Sequence, residues 1–178
     1  TDGNTMAPNA TFEFEVAVAD AGTFNDGNKD QVVYKGIAGG LTAETGAAFT
    51  PGEKGSAAET YTAEGSLKTD AAVFERPGVY HYTVTEKANN YEGVTTDTTS
   101  YDVYVYVYNR TDGLYVGNVV SAKNGDKANL IFNNDYGQDK NKDTTHDVVI
   151  KKVITGNQAV ESDTFQLVVT VTGTAGEK

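Results

Sequence analysis

Apolar and polar residues alternate along most of this chain with the two-residue period that is typical of β-strands. The alternation is clearest over residues 11–19, 78–86 and 100–109. Weaker alternation predicts further strands over residues 31–35, 47–50, 59–67, 114–122 and 128–134. The dipeptide Asn124-Gly125 lies between the last two of these strands, and it is a strong signal for a tight hairpin turn.

Helical patterning is nearly absent. Only residues 70–74 suggest a short helical turn, and no stretch shows the 3.6-residue period of an amphipathic helix. Many short strands joined by turns are typical of two packed antiparallel sheets. The pattern therefore predicts an all-β fold, an immunoglobulin-like β-sandwich.

The strand predicted over residues 78–86 contains one unusual position. Tyr80, Tyr82, Val84 and Glu86 share a face, because side chains two positions apart in a strand point the same way. The two tyrosines and the valine make this the expected core face, where a carboxylate is costly unless it is paired or protonated. Either Glu86 lies at the wet end of the strand, or the interior contains something that needs a carboxyl group.

An internal repeat defines the expected domains. An offset of 153 residues aligns Thr11-Phe12 with Thr164-Phe165 without a gap. The alignment predicts a nearly whole domain over residues 1–136, a polar linker over 137–146, and the opening strands of a second copy over 147–178. The strand over residues 148–154 has no counterpart in the first copy, since that counterpart would lie before Thr1. We therefore expect the first domain to lack its first strand, and the chain to be a fragment of a tandem array.

Composition excludes several classes of function. The net charge is −11, with 25 acidic against 14 basic residues, which argues against binding to nucleic acid or anionic membranes. The chain has no cysteine, so it contains neither disulfides nor thiolate metal sites. Its two histidines are not at ligand spacing, and no apolar run is long enough to span a bilayer. We therefore expect no metal, no cofactor and no membrane contact within this chain.

Three residues in strand patterns could carry chemistry together. Glu86 lies on a core face, Asn134 shares a face with Leu130 and Phe132, and Lys152 shares a face with Ile150. A buried lysine tends to be neutral and nucleophilic, and a buried carboxyl group tends to be protonated. Such an amine could attack a neighbouring carboxamide and expel ammonia, with the acid relaying protons. From the residues alone, Asn133 remains an alternative to Asn134, and Lys151 an alternative to Lys152.

Four motifs together resemble the Gram-positive pilin isopeptide-linkage domains, the modules of streptococcal-type pilus backbone subunits and related surface adhesins. The motifs are Phe12-Glu-Phe, Gly78-Val-Tyr-His-Tyr-Thr-Val-Thr-Glu86, Tyr101-Asp-Val-Tyr-Val-Tyr-Val107 and Ile131-Phe-Asn-Asn-Asp-Tyr136. Residues 148–165 look like the opening of another such domain. The resemblance covers essentially the whole chain.

The resemblance implies a role for each candidate residue. In that family a lysine on the first strand bonds spontaneously to an asparagine on the last strand, assisted by a glutamate. Glu86 matches the assisting acid, and Asn134 matches the acceptor in the Phe-x-Asn-x-Tyr pattern. Lys152, with Lys151 as the alternative, matches a donor for the next domain. The repeat offset places the first domain's own donor two positions before Thr1, so no intradomain isopeptide bond is expected within this chain.

The resemblance also implies a structural function rather than an enzymatic one, because such a cross-link forms in a single turnover. We expect a stalk module of an extracellular pilin or adhesin on the cell wall, with signal peptide and sorting signal outside the fragment. Its partners would be neighbouring repeats or pilin subunits. The alternative is an adhesin domain that recognises a host glycan or protein through the long excursion over residues 37–70, because long connections are often functional.

Overall fold

The computed structural model of the chain describes residues 6–25, 27, 29–52 and 60–137. This part is built of short strands and turns, and none of its helices is long and apolar enough to cross a membrane. In chain order its elements are β1 (Ala10–Phe12), β2 (Phe14–Val18), β3 (Gly22–Asn25), β4 (Asp30–Lys35), β5 (Leu41–Thr45), β6 (Ala47–Phe49), β7 (Ser66–Thr69), a 3-10 turn (Ala71–Val73), β8 (Gly78–Glu86), β9 (Val94–Thr95), β10 (Ser100–Arg110), β11 (Gly113–Lys123), β12 (Asp126–Lys127) and β13 (Asp135–Tyr136). Lys151, Lys152, most of the predicted linker and the predicted second copy lie outside the described residues.

The largest sheet is centred on β8. Its strand order is β12-β11-β10-β8-β4-β3, and β2 also pairs with β8. The long strand β10 runs antiparallel to β8 along one edge, and β11 returns alongside β10. At the predicted hairpin, Asn124 and Gly125 both have positive φ, 54° and 89°, which is the geometry that Asn-Gly favours in tight hairpins. The pattern-based prediction of an all-β fold is therefore confirmed.

Two strands share the other edge of β8. β2 pairs with its second half, from Tyr82 to Glu86, and β4 pairs in parallel with Val79 to His81. At the junction the Ala19 N–H donates to the His81 carbonyl oxygen at 3.1 Å, and the Gly36 N–H donates to the Ala19 carbonyl oxygen at 3.1 Å. Three backbones therefore meet at Gly36, where no room is left for a side chain.

Replacing Gly36 with alanine should destabilise the fold by about 2 kcal/mol or more, because overpacking of this kind forces backbone shifts. An added Cβ would contact the backbone oxygen of His81 and lie 2.9 Å from Val18 Cγ1. Gly22→Ala is the matched control, because nothing lies within 4 Å of a Cβ at that position. Urea unfolding of both variants measures the difference. Equal stability of the two variants would contradict this account of the junction.

Both faces of the central sheet are covered. One face carries Tyr80, Tyr82, Val84 and alternate valines of β10, with Leu41 of β5 packed into the same cluster. The Tyr82 hydroxyl donates to the Ile37 carbonyl at 2.9 Å and accepts the Ile37 N–H at 3.1 Å, which ties the start of the 37–70 excursion to the core. The described part of this excursion contains β5, β6 and β7, and its Ile37, Leu41 and Leu67 pack with the core cluster.

The second face has an aromatic stack. Tyr104 lies between Phe24, at a ring-centroid distance of 4.0 Å, and His81, at 4.8 Å. The His81 ring is held by Asp102 at 2.8 Å and by the Asp20 carbonyl oxygen at 3.0 Å. On this second face the sheet is thus packed by side chains of its own strands, including Phe24 of β3.

Several strand predictions are wrong in detail. Residues 11–19 form two strands that separate at Glu13, because β1 pairs with β6 whereas β2 pairs with β8. In the predicted strand over 59–67, β7 begins only at Ser66. The strands β3 and β5 were not predicted, because their short, polar sequences show little alternation. Residues 128–134 are also not a strand, which bears on the site described next.

Candidate functional site

Glu86 lies at the end of β8 and is buried. Its side chain shares the core face with Tyr82 and Val84, as the alternation predicts, and the residue is 9% exposed. Phe14 of β2 is its partner across the ladder. Among the described residues, no other acidic or basic side chain is buried. Of the two sequence-based alternatives, the structure supports the interior position.

Asn134 provides the hydrogen-bond partner of Glu86. Its Nδ2 donates to Glu86 Oε1 at 2.9 Å. Its Oδ1 accepts a hydrogen bond from the Asp97 backbone N–H at 2.6 Å. The neighbouring residue Asn133 is exposed. The structure therefore brings Asn134, and not Asn133, against the glutamate.

Asp97, in the loop between β9 and β10, organises the backbone around Asn134. Its carboxylate accepts the Thr99 N–H at 2.8 Å and the Asn133 N–H at 2.7 Å. Burial alone would raise the pKa of Asp97, but the hydrogen bonds from Asn133 and Thr99 outweigh it, and the pKa lies below its usual value. Sequence reasoning missed this residue. The available signal was Asp-x-Thr immediately before a strand, a pattern typical of a side-chain-stabilised turn.

The surroundings of Glu86 raise the pKa of its carboxyl group. Burial raises the pKa of Glu86; the hydrogen bond from Asn134 lowers it, the negative charge of Asp97 raises it, and the Asp97 backbone N–H lowers it. The net pKa is above the usual value. Within the described residues, Glu86 Oε2 is buried and has no hydrogen-bond partner. A protonated Oε2 could donate to one further group.

A groove of about 590 Å³ opens beside these residues. Its walls come from the start of the chain, the β6 region, residues 60–67, and the segment that ends in Asn134. Phe132, on that segment, packs against Phe14 and Tyr101 at centroid distances of 5.3 Å each. The groove is lined by aromatic and aliphatic side chains, with Glu86 and Asn134 as polar groups: Phe12, Phe14, Phe49, Leu67, Val84, Leu130 and Phe132 are among the apolar ones.

Residues 130–134 of the segment over 128–134 line one wall of the groove. The prediction that it is a strand is wrong for the structure, and no described strand pairs with it. It is held instead by single contacts: the Tyr101 hydroxyl donates to the Ile131 carbonyl at 2.6 Å, and Asp97 accepts from Asn133. A strand needs a partner along its edge, and this stretch borders the groove. The alternating pattern remains as side chains turned alternately inward and outward.

The site therefore contains an acid and a carboxamide but no described lysine in contact with either. Lys87, the residue after Glu86, pairs with Glu13 at 3.0 Å instead. Lys152 and Lys151 lie outside the described residues. Among the residues that the structure covers, no group of three acidic or histidine side chains is placed to hold a metal ion. The described groups that could react are therefore the Asn134 carboxamide and the buried Glu86 carboxyl group. A third reactant would have to enter the groove.

Comparison with known proteins agrees with this architecture. The family model FctA, described as the Spy0128-like isopeptide containing domain, matches residues 2–137. A curated pilin from Streptococcus pyogenes is 34% identical over 173 residues, which is 96% of this chain and 46% of that protein. The chain thus spans about half the length of this relative.

Solved structures of major pilins from S. pyogenes have the same fold. One is 29% identical with a TM-score of 0.57, covering 76% of this chain and 46% of the pilin. The T3.2 major pilin is 30% identical with a TM-score of 0.58, covering 76% of this chain and 48% of the pilin. Two other similar structures are of pilin variants in which one asparagine or one glutamate is replaced by alanine. The sequence match and the sandwich fold agree, and the chain belongs to the FctA family of Spy0128-like isopeptide containing domains.

Proposed function

We propose that this chain is a structural module of a Gram-positive cell-surface pilus or adhesin, closed by a self-formed bond between a lysine and Asn134. The observation that carries the proposal is the hydrogen bond of 2.9 Å from the half-buried Asn134 Nδ2 to Oε1 of the buried Glu86. A carboxyl group is expensive to bury, and here it faces a carboxamide at the edge of an apolar groove. Proton transfer to and from that amide is a role that accounts for this placement.

The donor lysine would arrive on a strand that lies in the groove. Two features support this. The segment over residues 128–134 borders the groove without a described strand partner. Glu86 Oε2 is buried and has no hydrogen-bond partner among the residues that the structure describes. The repeat offset assigns the strand to residues upstream of Thr1 for this domain, and Lys152, with Lys151 as the alternative, to the same role in the next domain.

The reaction is an amide exchange. The neutral lysine amine attacks Asn134 Cγ, the new C–N bond forms, and the bond from Cγ to Nδ2 breaks to release ammonia. Glu86 gives a proton to the departing nitrogen and takes one from the attacking nitrogen, so that it ends as it began. Because each site reacts once, the module is not an enzyme.

The cross-link would give the module a mechanical function. A covalent bond between the first and last strands would bear a pulling force in place of the hydrogen bonds of the sheets. Force applied to the two ends of the module could then not separate the strands that lie between the two linked residues. Its partners would be neighbouring repeats or pilin subunits, and its location the cell wall. The absence of cysteine agrees with the use of an amide where other extracellular domains use disulfides.

Single-molecule force spectroscopy tests this function. The sample is the natural chain continued upstream through the strand that carries the donor lysine, hereafter the extended chain. We expect no extension from the region between the lysine and Asn134. In Asn134→Ala the same region should extend by about 3.3–3.6 Å per residue. Full extension of the unmodified extended chain would overturn the proposal.

A further inference from the structure

The Asn134 carboxamide is held at its oxygen as well as at its nitrogen. Oδ1 accepts a hydrogen bond from the Asp97 backbone N–H at 2.6 Å, while Nδ2 donates to Glu86. Attack of an amine on Cγ moves an electron pair onto Oδ1, which becomes an oxyanion. Donors that already point at the position of a developing charge are among the most effective catalytic devices in acyl transfer.

We propose that the backbone N–H of Asp97 is the oxyanion donor of the cross-linking reaction, and that the Asp97 carboxylate positions this N–H. The inference rests on the proposed function. As the amine nitrogen bonds to Cγ, the carbonyl electron pair moves to Oδ1 and is stabilised by the Asp97 N–H. When the pair returns, the bond from Cγ to Nδ2 breaks, and the nitrogen leaves as ammonia with a proton from Glu86.

The Asp97 side chain explains why the donor is fixed. One carboxylate oxygen accepts the Thr99 N–H at 2.8 Å, which closes a turn that begins at Asp97, directly after the peptide that carries the Asp97 N–H. The other accepts the Asn133 N–H at 2.7 Å, which ties that turn to the residue before the acceptor. Together with the hydrogen bond from the Asp97 N–H to Asn134 Oδ1, these two bonds fix the position of the loop relative to the acceptor segment. Without the carboxylate, the N–H and Oδ1 would no longer be clamped together.

The rate of cross-linking distinguishes catalysis from a merely structural turn. The extended chain is made by cell-free synthesis, quenched at intervals, and followed by the mass lost as ammonia. We expect Asp97→Ala to react about 10- to 100-fold more slowly than the natural sequence, and Asp97→Asn to fall between the two. The control is Asp70→Ala, because the Asp70 carboxylate likewise accepts a backbone N–H two residues ahead, that of Ala72 at 2.9 Å. Equal rates for Asp97→Ala and Asp70→Ala would overturn the inference.

A second measurement needs no reaction. In the 178-residue chain, the ¹³C resonance of the Asn134 carboxamide carbon reports the polarisation of its C=O bond. We expect it to move upfield in Asp97→Ala and to stay in place in Asp70→Ala, and an unmoved resonance in Asp97→Ala would contradict the inference. If the extended chain of natural sequence never loses ammonia, the proposed function fails. If the extended chain loses ammonia and the Asp97 variants lose it at the same rate, only the proposed role of Asp97 fails.

Discussion

Replacing Asn134 with alanine is expected to leave the extended chain without its cross-link and to lower its free energy of unfolding by about 5 kcal/mol. The figure is the chain-entropy value for closing a loop of roughly 135 residues. In the 178-residue chain the same change removes only the hydrogen bonds to Glu86 and Asp97. There the expected loss is about 1–3 kcal/mol, the cost of leaving buried polar groups unpaired. Urea unfolding of both chains measures the difference.

Asn133→Ala is the matched control for this prediction. Asn133 is the adjacent asparagine, and its side chain is exposed. Because exposed substitutions usually change stability by less than about 0.5 kcal/mol, the extended chain should stay cross-linked and nearly as stable as before. A larger loss in Asn133→Ala than in Asn134→Ala would show that the acceptor assignment is wrong.

Replacing Glu86 with glutamine should slow the cross-linking reaction by about 10²- to 10⁴-fold, the usual contribution of a positioned general acid or base. Glutamine retains the shape of the side chain and an oxygen for Asn134, but it can neither give nor take a proton. The measurement is the rate of ammonia loss in the extended chain. The control is Glu15→Gln on β2, which replaces an exposed carboxylate and should leave the rate unchanged. A natural rate in Glu86→Gln would contradict the proton-relay role.

In the 178-residue chain, Glu86→Gln should become more stable relative to the natural sequence as the pH rises. Burial is the main cause of the raised pKa of Glu86, so the folded chain holds this proton at pH values where the unfolded chain has lost it. An acid whose pKa is higher in the folded chain contributes to the free energy of unfolding. This contribution is fully present below the pKa of the unfolded chain and is lost as the pH rises through the pKa of the folded chain. We therefore expect the free energy of unfolding of Glu86→Gln, minus that of the natural sequence, to increase with pH above the unfolded pKa. It should level off above the folded pKa, and a decrease would contradict the assignment.

Much of the sheet could be predicted from alternation alone. In β8 and β10, residues two positions apart are buried together, because each of these strands lies between neighbours in a packed sheet. The strands β3 and β5 escaped prediction for the opposite reason. They are short, and four of the five residues of β5 are exposed, so their positions depend on backbone pairing more than on side-chain burial.

The placing of Glu86 on a core face could also be predicted from the sequence, but the backbone support of Asn134 could not. Alternation placed Glu86 on a core face, and the contact with Asn134 joins two residues that the family pattern had singled out. The pattern Asp-x-Thr at Asp97 indicates a turn but not a contact with Asn134, because the hydrogen bond to Asn134 comes from the Asp97 backbone N–H. A backbone group leaves little trace in residue type. The strand predicted over residues 128–134 was wrong because pairing depends on a neighbour, which a local pattern does not reveal.

The central claim is that Glu86 and Asn134 are two members of a self-cross-linking site whose lysine is carried by an upstream strand. Intact-mass measurement tests it most directly. We expect the 178-residue chain to have its full calculated mass, and the extended chain to be lighter by one ammonia. Both Glu86→Ala and Asn134→Ala should restore the full mass of the extended chain. An extended chain of full mass, or one that still loses ammonia in Asn134→Ala, would contradict the account.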